Sequence, residues 1–458
     1  MAQTLLTVVT DARRVVMPGV IGITLGLALL AGTGRLPGGA LSLLVATGVL
    51  AGMALIAVRL EWGLLLLPIV AVLVPFEIAT GRQTPLVACL LLAPLLLGLW
   101  VARMLARRAL IVVRSPVNLP LAGFVVTAVV ATISSQVLRD PLVFVGQSFP
   151  QVQLGQLSVI AISAGLFFMV MNSFGTMRWL RWLTWLMIGL GAVTIAKYLL
   201  VPGGDLPFAS VGGLFSLWVV SLAFGQALFN QRLRPSMRAA LLLLAGLWLF
   251  RRLFLEFGWL SGWLPILLSL ATICALRSWR ALSIGVAVAA LVAGLNYEFF
   301  AERYAQQVSG GDSQGNYQRF EVWRRAIEVM GDQLLLGLGP AGYAPYYMTY
   351  WPDQALSSHS NYLDILAQTG LVGSGFFFWF LGALYVVAVQ ARRRWPAGFP
   401  AGLASGALGG LVGMTAAMAL GDWVIPFVYN QTLAGFRYTL HNWIILGALA
   451  ALPHLRGE

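Results

Sequence analysis

Charge is what this sequence has least of. Only 10% of its 458 residues are Asp, Glu, Lys or Arg, against 59% hydrophobic, whereas soluble domains carry about 25% charged residues. Folded in water, such a chain would present large adhesive patches. Composition therefore excludes a soluble globule and predicts an all-α polytopic membrane protein. Cysteine is scarce too: Cys89 and Cys274 both lie in apolar runs without metal-ligand spacing, and read as small buried hydrophobes. Clustered His, Cys, Asp or Glu is missing, as is a DxD-like acidic pair, so a metal-free chemistry with no cofactor is expected. No Walker-type loop is present, which excludes an ATP-driven pump acting alone. In Gly258-Trp259-Leu260-Ser261-Gly262 the serine is off-centre, so this is no nucleophile elbow. The first apolar run is not followed by a small-residue cleavage site and is expected to stay as a helix.

What is there is a succession of apolar runs. A spanning helix needs about 20 mostly apolar residues. Candidate spans begin near residues 15, 41, 62, 86, 119, 156, 182, 211, 238, 258, 281, 371, 402 and 438. That predicts about fourteen helices (12–14), the one near 238 being the shortest. The net charge of +13 would suggest nucleic acid in a soluble protein. Here the arginines punctuate hydrophobic runs, so they are read as topology signals and no nucleic-acid partner is expected. With both termini in the cytoplasm, alternation puts Arg59, Arg103, Arg107, Arg178, Arg181, Arg232, Arg234, Arg277 and Arg392 to Arg394 inside, together with few acids. Three regions follow: an N-terminal membrane bundle over 1–297, a large external loop over 298–370 containing short helices, and C-terminal membrane helices over 371–458.

Long loops in compact folds are usually functional, and this one concentrates polar chemistry. Residues 317–330 read as an amphipathic helix: Phe320, Trp323, Ile327 and Met330 recur at helical spacing, with Arg319, Arg324 and Arg325 among polar positions. Those arginines fit a phosphate clamp, or equally an interfacial helix whose charges snorkel to water. Arg251, Arg252 and Arg303 mark further external boundaries. After the turn-forming Gly337, Gly339, Pro340 and Gly342 come Tyr343, Tyr346, Tyr347, Tyr350 and Trp351. Their faces suit sugar rings or a membrane aromatic belt. His359 then stands beside Ser360, Asn361 and Tyr362 where the loop returns to apolar sequence. A histidine is the side chain best suited to accepting a proton near neutral pH. Asp364 follows at a spacing that does not pair it with His359 on a helix.

In order, Arg319-x-x-x-Trp323-x-x-Ala326, Leu336-Gly337-x-Gly339-x-x-Gly342, His359-Ser360-Asn361-Tyr362-Leu363 and Gly370-Leu371-Val372-Gly373 resemble the O-antigen ligase and polymerase superfamily. The resemblance is densest over 317–375. It implies a GT-C-like membrane glycosyltransferase in the bacterial inner membrane. Such an enzyme would take a glycan from undecaprenyl diphosphate and pass it to a glycan or lipid acceptor hydroxyl on the external face. By the same resemblance His359 would be the general base or acceptor-orienting group, and Arg319 would hold the diphosphate. Arg303, Arg324, Arg325, Trp323, Asn361, Tyr362, Tyr346 and Tyr347 are the accompanying candidates for substrate binding. The family's Ser-Arg-Gly triplet is missing from Phe250–Leu264, where Arg251 or Arg252 could substitute. The alternative function is a secondary transporter of an anion or glycan, which would place broken helices and charges near the midplane.

Overall fold

In a computed structural model the chain is described over residues 59–74, 77–78, 85–109, 112–201, 211–256, 260–309, 311–352 and 358–455, without the side chains of 306–319 and Asp332. The expected spans near 15 and 41 lie outside these residues. Between connecting loops the described residues are helical, apart from a two-residue antiparallel pairing of β1 (Glu77–Ile78) with β2 (Leu86–Val87). The helices are α1 (Leu60–Leu73), α2 (Ala88–Ala106), α3 (Asn118–Val137), α4 (Phe149–Ser173), α5 (Met177–Leu200), α6 (Phe215–Phe229) and α7 (Pro235–Phe250). After a π-helical turn over Arg251–Leu255 come α8 (Leu260–Arg277), α9 (Trp279–Leu295), α10 (Tyr297–Ser309) and α11 (Gly311–Met330). The chain continues through α12 (Tyr343–Tyr350), α13 (Asn361–Arg394), α14 (Gly398–Met418), the single turn α15 (Val428–Gln431) and α16 (Phe436–Ala451).

Among the described residues seven helices are long and apolar enough to cross a membrane: α2, α3, α4, α5, α8, α13 and α14. An eighth span forms if α9 and the start of α10, bent by 75°, are taken together. The protein is thus an all-α chain with the makings of a multi-pass membrane protein. Four expected spans are helices too short to meet that length: α1 has 14 residues, α6 15, α7 16 and α16 16. Two of them, α6 and α16, are buried along almost their whole length. A helix surrounded by protein does not have to match the lipid thickness by itself. α9 is the opposite: none of its residues is buried and its Ile284, Val286 and Leu291 stand exposed, an apolar surface that suits lipid.

In lipid, apolar side chains gain little by leaving one neighbour for another, so helices associate through close packing and polar contacts. The α6–α14 seam shows both. A Cβ at Gly225 would come 2.6 Å from the Gly402 carbonyl, and one at Gly406 2.6 Å from that of Ser221. Ser221 and Ser269 join α6 to α8 through their hydroxyls at 2.7 Å, and Trp218 donates to Asn442 of α16 at 2.7 Å.

One break organises the functional end. Inside α13, Gly370 leaves helical geometry at φ 64°, ψ −167°. The segment 334–338 docks there by backbone bonds: Leu338 donates to Ala367, Leu371 to Leu334 and Val372 to Leu335, at 2.8, 2.9 and 3.2 Å. A Cβ on Gly370 would sit 2.3 Å from the Leu335 carbonyl, so this position admits glycine alone. Two motif pieces thirty residues apart are therefore one structural joint. The two ends of α13 also define the two ends of the bundle. Its first turn lies with the loop helices and the chain at 424–425; its last lies beside the end of α16, where Arg394 donates to the Leu455 carbonyl and Trp395 to that of Leu452.

Candidate functional site

His359 is half-buried between the buried Ser358 and Ser360, and its backbone is held at φ 47°, in the left-handed region that residues other than glycine rarely adopt. Such strain persists only where neighbours over-determine it, and it concentrates at functional sites. The neighbours here are specific. Ser358 and Tyr343 both donate their hydroxyls to Oδ1 of Asp364, at 2.5 and 2.7 Å. The Tyr343 ring stacks on Phe427 with centroids 4.7 Å apart. The buried Asp422 carboxyl lies close to that of Asp364, and its Oδ2 accepts from Asn430 at 3.0 Å. Asp364 is thus not His359's partner but the floor under the segment that carries it.

Asn361 and Tyr362, expected near substrate, are committed elsewhere. The Asn361 amide is fully buried; it accepts from Val424 at 2.8 Å and donates to the Ile425 carbonyl at 2.7 Å. The Tyr362 hydroxyl donates to the Thr415 carbonyl at 2.7 Å and its ring stacks on Phe378. Both fasten the start of α13 to the chain around 415–425.

The amphipathic helix α11 reaches His359 through Trp323, whose indole donates to the Ser358 carbonyl at 2.8 Å. Arg319 lies on α11 one turn before Trp323, on the same helical face by spacing; its side chain is outside the described set. Arg325 is largely buried, paired with Glu321 at 2.8 Å and placed over the Trp351 ring at 5.0 Å. Arg324 is exposed, pairing with Glu321 at 2.7 Å and Glu328 at 3.6 Å. Those two guanidiniums, Arg324 first, hold the Glu321 carboxyl down at about 2. Tyr347 is buried against Trp351, and burial pushes its phenol up to about 12, with Arg325 pulling the other way. The Tyr346 hydroxyl accepts from the Asp140 backbone at 3.2 Å, and Tyr350 donates to the Asp140 carboxylate at 2.5 Å. α12 is thereby pinned to the α3–α4 connection, so these tyrosines serve as anchors.

Arg251 and Arg252 sit on the π-helical turn after α7. Arg251 is buried over the Tyr198 ring at 3.4 Å and pairs with Glu256; Arg252 reaches the same carboxylate at 3.3 Å. Their turn packs on α10 through Phe254, whose ring lies 5.5 Å from those of Phe299 and Phe300. On α10, Arg303 is exposed and stands over Phe299. Single π-turns are frequent at functional sites.

A buried polar layer beneath the glycine-rich loop escaped sequence reasoning. Gln153 donates to Ser135 at 3.0 Å and accepts from Gln136, and a Cβ on Gly339 (φ 80°) would collide with both Ser135 and Gln153. Gln368 accepts from the Ala341 backbone at 3.0 Å. The available signal was glutamine and serine recurring inside apolar runs. Cys89 and Cys274 are buried and unbridged. Among the described residues no three His, Cys, Asp or Glu side chains converge as metal ligands would.

No curated protein matches the sequence. A family model described as O-Antigen ligase matches residues 236–378, from the first turn of α7 through the π-helical arginines, α10 to α12 and His359 into α13. The match covers 143 of the 458 residues, and over that stretch the chain is similar to the O-antigen ligase family.

Proposed function

We propose that this protein transfers a glycan from undecaprenyl diphosphate to an acceptor hydroxyl, at the end of the bundle where His359 stands, as an O-antigen ligase or polysaccharide polymerase. The family match supports glycan transfer in general. The observation that carries the finer reading is the bond from Trp323 to Ser358, which ties the arginine-bearing helix to the residue before His359.

In this reading the acceptor oxygen attacks the anomeric carbon while its proton passes to His359. The bond from that carbon to the diphosphate breaks, and the electron pair leaves with the diphosphate. A base must come within about 3 Å of the hydroxyl it deprotonates. Arg319 meets the charge that develops on the leaving group, and fixed donors of this kind contribute about 3 kcal/mol each where water is excluded. Arg251, Arg252 and Arg303 line the approach of the lipid diphosphate. Attack opposite the leaving group inverts the anomeric configuration. The reacting end faces outward across the bacterial inner membrane, with the arginine-rich ends of the helices in the cytoplasm.

The test is reconstitution with a radiolabelled undecaprenyl-diphosphate glycan and candidate acceptors, comparing wild type with His359→Ala and Arg319→Ala. Transfer by the wild type and its loss in both folded variants is the expected result. Turnover surviving both substitutions, or product with retained configuration, would overturn the reading.

A further inference from the structure

At the end of the bundle away from His359 lies a cavity of about 350 Å³, between the starts of α5 and α14, the ends of α6 and α13 and the α6–α7 turn. Its walls include Arg181, Arg232, Trp185, Trp395, Phe399 and Asn230. Nothing in the glycan-transfer reading uses it.

Most arginines at this end have structural work. Arg394 donates to the Leu455 carbonyl, Arg238 to that of Ala227 at 2.7 Å, and Arg392 reaches the Trp395 carbonyl at 3.4 Å. They neutralise the exposed carbonyls at helix ends. The two cavity arginines are used differently. Arg181 stands over the Phe399 ring at 5.5 Å. Arg232 is exposed and has no hydrogen-bond, ion-pair or ring partner among the described residues. The segments that build the cavity carry no acid of their own: no Asp or Glu occurs between residues 141 and 204, 206 and 255, or 365 and 421. The acidic residue brought to this end by a neighbouring helix is Glu61 of α1, next to Trp62, whose ring meets Trp179 and Trp182.

Asn230 supplies an independent observation. Gln226 donates its amide nitrogen to the Phe399 carbonyl at 3.0 Å, so its oxygen must accept, and it does so from the Asn230 nitrogen at 2.8 Å. That fixes the Asn230 amide and leaves its Oδ1 without a donor, although the residue is only 4% exposed. A buried acceptor left unpaired costs roughly 1–3 kcal/mol, so a ligand bringing a donor is favoured there.

We infer that this cavity binds the headgroup of an anionic phospholipid, its phosphate on Arg181 and Arg232 and a headgroup hydroxyl supplying the donor at Asn230. Guanidinium forks match phosphate oxygens. Trp185, Trp395 and Phe399 give flat apolar faces for the glycerol and upper acyl chains, as aromatic residues do at membrane surfaces. α5, α13 and α14, which meet here, are all long and apolar enough to cross a membrane, so the cavity lies where lipid headgroups are. Basic pockets between helix ends are a recurrent form of lipid headgroup site.

The test uses the full chain, purified and delipidated in detergent, with native mass spectrometry during titration of phosphatidylglycerol, phosphatidylcholine or inorganic phosphate. The expected result is one phosphatidylglycerol retained at least about tenfold more tightly than phosphatidylcholine, a difference of about 1.4 kcal/mol. Arg181→Gln with Arg232→Gln removes that preference, and Arg107→Gln, exposed at the same end outside the cavity, keeps it. Melting without lipid separates a lost site from a lost fold. If the double variant melts lower, Arg232→Gln alone carries the test. Equal binding of the two lipids, or an unchanged preference in the double variant, overturns the inference. Displacement of phosphatidylglycerol by equimolar inorganic phosphate overturns the lipid assignment in favour of a soluble phosphate.

Discussion

The two ends of α13 carry arginine in different company. At the His359 end guanidiniums come with carboxylates: Arg251 and Arg252 share Glu256, Arg324 and Arg325 share Glu321, and Arg437 holds Glu77 at 2.7 Å. At the far end Arg181, Arg232 and Arg392 to Arg394 stand on segments without a single acid. Net charge alone does not separate these regions. Acid in the same segments does: a carboxylate fixes a guanidinium in place, which a reacting site needs, whereas arginines on segments without acid set topology and attract anions from outside the protein.

The sharpest way to break this contrast is activity. His359→Ala is expected to lower transfer by about 10²–10⁴-fold, the usual worth of a general base, with the melting temperature unchanged. Arg232→Gln at the other end is expected to leave turnover within about twofold in a fixed lipid mixture, as suits a residue remote from the chemistry. Equal losses would dissolve the distinction. Next in size is the floor under His359. Asp364→Ala leaves the Ser358 and Tyr343 hydroxyls buried without their acceptor, at roughly 1–3 kcal/mol each. Thermal unfolding checks this, and Asp364→Asn, which keeps an acceptor, is expected to lose less.

Smaller effects sharpen the comparison within one end. Arg251→Ala removes a buried cation from Tyr198 and Glu256 and is expected to cost about 2 kcal/mol in denaturant unfolding, below the range for fully buried pairs because Glu256 is partly exposed. Arg324→Ala, in an exposed pair, is expected to leave the unfolding curve where it was. The smallest effect concerns acid. Glu321 is held at about 2, below its unfolded value near 4.3. Its contribution is therefore full above about pH 4.3 and disappears only as pH falls through about 2. Amide exchange across 321–328, corrected for intrinsic rates, should be the same at pH 7 and pH 4.5.

Much of the architecture was legible because lipid imposes a one-dimensional rule: apolar runs of sufficient length become helices. That rule located helices at every expected span within the described residues but misjudged several lengths, since α6 and α16 are enclosed by protein and not by lipid. The amphipathic helix was readable around 317–330 and extends back to Gly311. For the site, spacing marked His359, Trp323 and the arginines as candidates. It also led to Asn361 and Tyr362 as substrate residues, where the fold uses them as fasteners to 415–425. Local sequence gives no sign of which partner a polar side chain will meet fifty residues away.

By itself the sequence determined that this chain is helical and multi-pass in character, because hydrophobicity acts residue by residue against the solvent. Only the tertiary structure decided that Gly337 and Gly370 form one joint, that Asp364 takes the Ser358 and Tyr343 hydroxyls next to His359, and that two of many similar arginines open on a cavity. Those are contacts between distant segments, fixed by close packing and by the need of each buried polar group for a partner.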